Sequence, residues 1–251
     1  MVGLKRLVDY TDTLLEANFQ DYCPNGLQVE GKGEVRKLVS GVTASLALLE
    51  AAVAAQADAI LVHHGYFWRG ENPCIVGVKQ QRLRLLMSHN ISLLAYHLPL
   101  DDHPVYGNNA QLGELLGLTE KGKFGNARQP SIARHGQLAA PLSGAAFAAY
   151  LEEKLGRIPL HIPGKAQLIR NIGWCSGAAQ DYIEQAALLG LDAYLTGEVS
   201  EQTVHIARET GIHFFAAGHH ATERYGAPAL AGHLAEVFHL EHVFIDIDNP
   251  A

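Results

Sequence analysis

Two groups of residues, far apart in the chain, carry ligand chemistry. The first is His63-His64 followed by His97-Leu98-Pro99-Leu100-Asp101; the second is His219-His220-Ala221-Thr222-Glu223. Imidazole nitrogens with carboxylates form the ligand set of borderline divalent cations such as zinc, manganese, iron or nickel. Each group ends an apolar run, and together they exceed what one ion needs. A carboxylate shared by two ions accounts for the surplus, and Glu223 suits that bridge, with Asp101 bound mainly to one ion. Two ions roughly 3.5–4 Å apart that activate water imply hydrolytic chemistry.

The histidines are not equivalent. Side chains alternate along a strand, so His63 and His64 reach one site only if the chain turns there, which Gly65 permits. Pro99 imposes an extended path on the residue before it, which would make His97 a donor that orients a ligand. Nothing local separates His219 from His220. Asp101-Asp102 also fits a capped turn ahead of a helix near Asn109. Tyr66-Phe67-Trp68-Arg69-Gly70 reads either as an aromatic lid over a ring substrate or as loop packing. Gly107-Asn108-Asn109 reads as a helix cap or as a source of amides for a substrate phosphate.

These residues need strand ends to hold them. Leu4, Leu7, Val8, Thr11, Leu14 and Leu15 recur at helical spacing. The turn Asp21-Tyr22-Cys23-Pro24-Asn25-Gly26 follows, then a strand at Leu38–Val42 and a helix capped by Ser45. Ala59-Ile60-Leu61-Val62 delivers His63-His64; a helix over 76–88 precedes the strand 91–96, which delivers His97 and Asp101. Alternating strands and helices imply crossover units and a largely parallel sheet.

The second half repeats this plan. A gap-free alignment of 41–64 with 175–198 gives six identities: Ala44/Ala178, Glu50/Glu184, Ala52/Ala186, Asp58/Asp192, Ala59/Ala193 and Leu61/Leu195. It pairs His63-His64 with Gly197-Glu198, which brings Glu198 to the site, and His97-x-x-x-Asp101 matches His219-x-x-x-Glu223. The expected fold is therefore α/β, two pseudo-symmetric halves (1–125 and 126–251) with mostly parallel sheets around a shared crevice at the strands' carboxyl ends. Between them, 124–170 is broken by Pro130, Pro141, Pro159 and Pro163, with strands at Gln137–Ala139 and 166–170 and a helix from Ser143 to Leu155 ended by Gly156. Pro228 opens a helix to Phe238, and 243–247 is the last strand.

Composition narrows the function. A net charge of −7 without a basic run argues against a nucleic-acid polymer, while bound ions leave a small anionic substrate compatible. Cys23, Cys74 and Cys175 are odd in number and form no CxxC pair, which argues for reduced thiols. The opening Met1-Val2-Gly3-Leu4-Lys5-Arg6 has no apolar region behind its charges, and no apolar run approaches the roughly 20 residues of a membrane span. A cytoplasmic location is expected. The phosphate loop GxxxxGK(S/T), the dinucleotide fingerprint GxGxxG and the GxSxG elbow are all absent.

As a set, Asp21-Tyr22-Cys23-Pro24-Asn25-Gly26-Leu27-Gln28-Val29-Glu30-Gly31, Val62-His63-His64-Gly65, His97-Leu98-Pro99-Leu100-Asp101, Gly107-Asn108-Asn109, Thr196-Gly197-Glu198 and Gly218-His219-His220-Ala221-Thr222-Glu223 resemble the GTP cyclohydrolase 1 type 2-like, or Ngg1-interacting-factor-like, dinuclear-metal family. The likeness extends to Phe244-Ile245-Asp246-Ile247 and is to the short bacterial members. It implies a toroidal homohexamer, two divalent ions per chain, and His63, His64, Asp101, His219 and Glu223 as ligands with Glu223 bridging. His97 then lies beside the ions, and His97 or Glu198 moves protons, with Tyr66, Trp68 and Asn108-Asn109 shaping the pocket. The expected function is hydrolysis of a small nucleotide- or purine-like substrate. The alternative is a metal-handling or adaptor protein without turnover. Five ligands over two ions leave positions open for water, which favours chemistry.

Overall fold

The computed structural model describes residues 1–17, 20–125 and 131–251; Pro130 lies outside them. The chain forms two compact units, Met1–Gly107 with Arg224–Asp248, and Asn108–Glu223 with Asn249–Ala251. This division differs from one at 125/126. Residues 120–124 and 133–135 belong to paired strands of a single hairpin, and residues 241–244 supply a strand to the first unit's sheet.

In the first unit, strands Glu241–Phe244, Lys37–Thr43, Ala59–His64, Ser92–Ala95 and Gly26–Val29 lie side by side in that order. The first four run parallel and Gly26–Val29 pairs antiparallel at the edge. Helices Leu4–Leu14 and Gly226–Phe238 bury Leu4, Leu7, Leu230 and Leu234 against one face. Helices Leu46–Ala54 and Gly77–Ser88 bury Leu48, Leu49, Leu83 and Leu86 against the other. With both faces covered, Ala59–Val62 must be apolar throughout rather than alternating. The Ser45 hydroxyl accepts from the Leu48 amide, which caps the helix where the sequence placed it. The last strand ends at Phe244, with the Ile245 amide still donating to Ser40 O (2.9 Å), and Ile245 and Ile247 pack against the helix-covered core.

The second unit's sheet has the order Leu118–Phe124, Ala133–Leu142, Ile169–Trp174, Ala193–Thr196, His213–Ala216 and Leu160–Ile162. Ile169–Trp174, Ala193–Thr196 and His213–Ala216 are parallel, and the flanking pairings are antiparallel. Helices Ile183–Leu188 and Glu201–Thr210 cover one face through Ile183, Ala186 and Ala207. Helix Gly144–Leu155 is capped by Ser143 and closed by left-handed Gly156, and it places Phe147 edge-on to Phe215, ring centroids 5.0 Å apart. The strand expected at 166–170 begins at Ile169. No described helix is long and apolar enough to cross a membrane.

The internal repeat holds at the level of individual hydrogen bonds. One Asp58 oxygen accepts from the amides of Arg36 (2.9 Å) and Lys37 (3.2 Å). One Asp192 oxygen accepts from Arg170 (2.9 Å) and Asn171 (2.8 Å). Each aspartate thus ties the start of its own strand to the strand before it. The correspondence reaches the antiparallel edge strands, beyond the aligned segment. Gly31-Lys32 and Gly164-Lys165 follow them, and the Lys32 amide donates to Asn90 O and the Lys165 amide to Gly211 O. A Cβ on Gly31 or Gly164 would meet those same carbonyl groups, so both positions require glycine for space.

Removing either aspartate strands two backbone N–H groups. Asp58→Ala and Asp192→Ala should each cost about 1–3 kcal/mol in urea unfolding, and a value near zero for either one would deny the equivalence.

Candidate metal centre

In each unit three adjacent parallel strands end side by side, and the residues of interest lie at or just beyond those ends. In the first unit these are Thr43, His63-His64 and His97; in the second they are Gly177, Glu198 and His219.

His63 and His64 both stay in the strand, with His64 still in register opposite Thr43. No turn separates them, contrary to the role expected of Gly65. Bonds to the two flanking strands aim the rings instead. The His63 Nδ1–H donates to the Tyr96 carbonyl (2.9 Å), just past one neighbour, and His64 Nδ1 pairs with Thr43 Oγ1 (3.1 Å) on the other. Gly65 serves close packing, because a Cβ there would collide with the Gln28 amide and Ala95. Tyr66 is buried and its hydroxyl donates to Ala44 O (2.7 Å), so it belongs to the core rather than to a lid. Trp68 is half-buried beside the imidazoles, 5.0 Å from His97 and perpendicular to it.

Pro99 does not extend the chain after His97. It occupies the first turn of the short helix Leu98–Asp102, where its missing N–H is not needed. The Asp101 amide donates to His97 O (3.0 Å). The helical turn buries Asp101 with its carboxylate 3.5 Å from His63 Nε2. His97 Nδ1–H donates to Asp21 (2.7 Å). One ring nitrogen from each of His63, His64 and His97 lies within 4.8 Å of the others.

In the second unit the helix His219–Glu223 repeats this turn. His219 faces two carboxylates: its Nε2 is 3.0 Å from Glu223 and its Nδ1 is 2.6 Å from Glu198. Burial alone would lower the His219 imidazole, but Glu223 and Glu198 outweigh that and hold its pKa up at about 9. A proton therefore sits between two carboxylates where a divalent cation could replace it. Glu223 is buried under Gly177, whose Cβ would fall onto its carboxylate. Gly177 is left-handed (φ 66°), and its amide donates to Thr222 Oγ1 (3.0 Å). Asn109 holds the same loop, accepting from the Ser176 amide (2.8 Å) and, through its carbonyl, from Trp174 Nε1 (2.9 Å). These bonds make Asn109 part of the scaffold of the loop.

The donor set fits divalent metal. His63 and His97 donate through Nδ1 to a carbonyl or a carboxylate, His219 Nδ1 sits against Glu198, and His64 Nδ1 is engaged by a hydroxyl. Ligating histidines are held in this way, with Nε2 left to meet the ion. Sequence reasoning missed Thr43, Gly177, Thr222 and the specific partner of His97. Gly177 and Thr43 occupy equivalent positions in the gap-free alignment (43 and 177, like 64 and 198), a signal that a search for ligand residue types does not detect. Cys23, beside Asp21, has its thiol pushed up to about 12 by burial, with the Asp21 charge adding, so it is no thiolate nucleophile.

The Duf34/NIF3 (NGG1p interacting factor 3) family model matches residues 2–250. A Pseudomonas aeruginosa protein called GTP cyclohydrolase 1 type 2 homolog is 59% identical over 251 residues, covering 100% of this chain and 99% of that one. The Escherichia coli protein of the same name is 51% identical over 249 residues, 99% and 98% of the two chains. Among solved structures, protein ybgI, described as of unknown function, is 49% identical with a TM-score of 0.96 over 100% of both chains. TTHA1606 from Thermus thermophilus is 33% identical with a TM-score of 0.91, again over 100% of both.

Three outcomes follow for the metal-free protein. By NMR, His219 should titrate near pH 9, and Glu198→Gln should move the midpoint down. Because the folded pKa exceeds the unfolded value of about 6.5, the stability from this charge is complete below pH 6.5 and is lost as pH rises through 9; a pH-independent unfolding midpoint over that window would contradict it. Gly177→Ala should displace the Glu223 carboxylate and cost at least about 1–2 kcal/mol for the left-handed backbone alone, read by thermal melts and a crystal structure.

Proposed function

The chain belongs to the Duf34/NIF3 (NGG1p interacting factor 3) family, and on that premise we propose that it is a dinuclear metal-dependent hydrolase of a small nucleotide- or purine-like substrate. The supporting observation is the anchoring of four imidazoles through Nδ1, beside two buried carboxylates, Asp101 and Glu223. His63, His64, Asp101, His219 and Glu223 are the residues that would hold two divalent ions, Glu223 being the carboxylate that would serve both. Zinc, manganese, iron and nickel all suit this donor set.

Bound ions of this type supply Lewis acidity and lower the pKa of water toward about 7. The protein's own residues do the rest. His97, held by Asp21, has its Nε2 available to exchange a proton with substrate. Glu198, the most exposed of the carboxylates paired with a histidine here, orients His219 and can relay a proton to solvent. Trp68 offers an aromatic wall next to His97. The name GTP cyclohydrolase 1 type 2 homolog, carried by relatives more than 50% identical, supports a nucleotide-like substrate. The resemblance to the family also supports a homohexamer, and free Cys23, Cys74 and Cys175 suit the cytoplasm.

Metal content per chain decides the reading. Protein purified without chelator or affinity nickel should carry two ions by mass spectrometry, and Glu223→Ala should lose one or both while keeping its fold by circular dichroism. Affinity for zinc should rise with pH up to about 9, because His219 must give up its proton. Wild-type protein that stays metal-free after reconstitution with manganese, iron and zinc would leave a non-enzymatic adaptor in its place.

A further inference from the structure

The Asp21 side chain is only 1% exposed, yet it is ionised. Burial pushes its carboxyl up, but His97, Asn25 and the Tyr22 amide outweigh that and hold its pKa down at about 2. Its oxygens take four donors: His97 Nδ1–H at 2.7 Å, the Tyr22 amide at 2.6 Å, the Leu98 amide at 2.9 Å and Asn25 Nδ2 at 2.9 Å. Asn25 completes the clamp by accepting from the His97 amide at 2.7 Å. The segment is also tied from outside, because Arg69 donates its backbone N–H to Tyr22 O and its guanidinium to Asp21 O, both at 2.7 Å. The ring and the backbone of His97 are thus gripped by a single turn, Asp21–Asn25.

From this geometry we infer that Asp21, with Asn25, is the positioning residue of His97, holding it in the Nδ1–H tautomer with Nε2 unprotonated and the ring beside His63 and His64. This rests on the proposed role of His97 as proton carrier. An isolated buried carboxylate is costly, and this one is retained where its strongest side-chain partner is an imidazole. The other imidazoles differ. His63 Nε2 faces Asp101 and His219 Nε2 faces Glu223, whereas His97 has its carboxylate on Nδ1. His219 also meets Glu198 through Nδ1, but with Glu223 on its Nε2; among the described ion pairs, His97 is the imidazole paired with a carboxylate through Nδ1 alone. A carboxylate on Nδ1 orients the ring and stabilises the imidazolium that forms when Nε2 gains a proton, without itself becoming protonated. An aliphatic or amide residue at 21 would leave the ring free to turn or to adopt the other tautomer.

Solid-state 15N NMR of histidine-labelled, zinc-reconstituted protein tests this, with His97→Gln identifying the His97 signals by difference. In the wild type, Nδ1 should resonate in the protonated range and Nε2 in the unprotonated range, and Asp21→Asn should reverse or average the two while the zinc content stays at the wild-type value. A wild-type Nε2–H tautomer overturns the inference, as does an Asp21→Asn spectrum identical to wild type. Should Asp21→Asn fail to fold, the wild-type spectrum still decides. Loss of the metal reading registers separately, as absence of zinc from the wild-type protein.

Discussion

Everything at the candidate centre depends on one constraint: each of the four imidazoles is fixed through its Nδ1. A histidine at a strand end has two ring nitrogens and considerable freedom about its side-chain torsions. Tying Nδ1 to Tyr96 O, Thr43, Asp21 or Glu198 removes that freedom and leaves one nitrogen to do chemistry. Hydrogen bonds to charged partners contribute about 1.5–3 kcal/mol each, enough to decide ring orientation against thermal motion. The same bonds explain why the surrounding residues are what they are. Tyr96 provides a carbonyl at the end of its strand, Asp21 sits in a turn with four donors aimed at it, and Glu198 occupies a strand end where the first unit has His64.

The strand ends come together because each unit uses the same three-strand parallel core. Parallel strands linked by covered helices finish on the same edge, so the residues just beyond them converge without any long-range instruction. The aspartates at 58 and 192 hold those strands in matching register in both units. On that shared frame the chemistry has diverged. His63-His64 is replaced by Gly197-Glu198, and Thr43 by Gly177. The second unit therefore presents one imidazole between two carboxylates, whereas the first presents three imidazoles and Asp101. A proton on His219 is the natural outcome of that imbalance in the metal-free protein.

Glycine has a structural part in this divergence. Gly177 makes room for the Glu223 carboxylate, and Gly197 lets the strand end approach the His219 backbone, which a Cβ would strike at 2.7 Å. Both sit where a side chain would occupy the space of a functional group. Their contribution is a vacancy of defined shape, which no list of ligand types contains.

Much of the fold was legible because its signals are local. Apolar runs of strand length, Ser45 and Ser143 as caps, Gly156 as a stop and the paired His-x-x-x-carboxylate turns follow from side-chain chemistry within a few residues. Tertiary structure decided the rest, because the deciding contacts join residues distant in sequence. Gly65 is required by Gln28, Pro99 starts a helix in place of an extended path, and Tyr66 is drawn into the core by Ala44. His219 is flanked by Glu198 and Glu223, and His97 finds its carboxylate 76 residues away in Asp21. Residue type and spacing determined that this chain carries imidazoles and carboxylates able to hold metal at its strand ends. Which nitrogen each imidazole leaves open was decided only by the partners that folding brings to the other side of the ring.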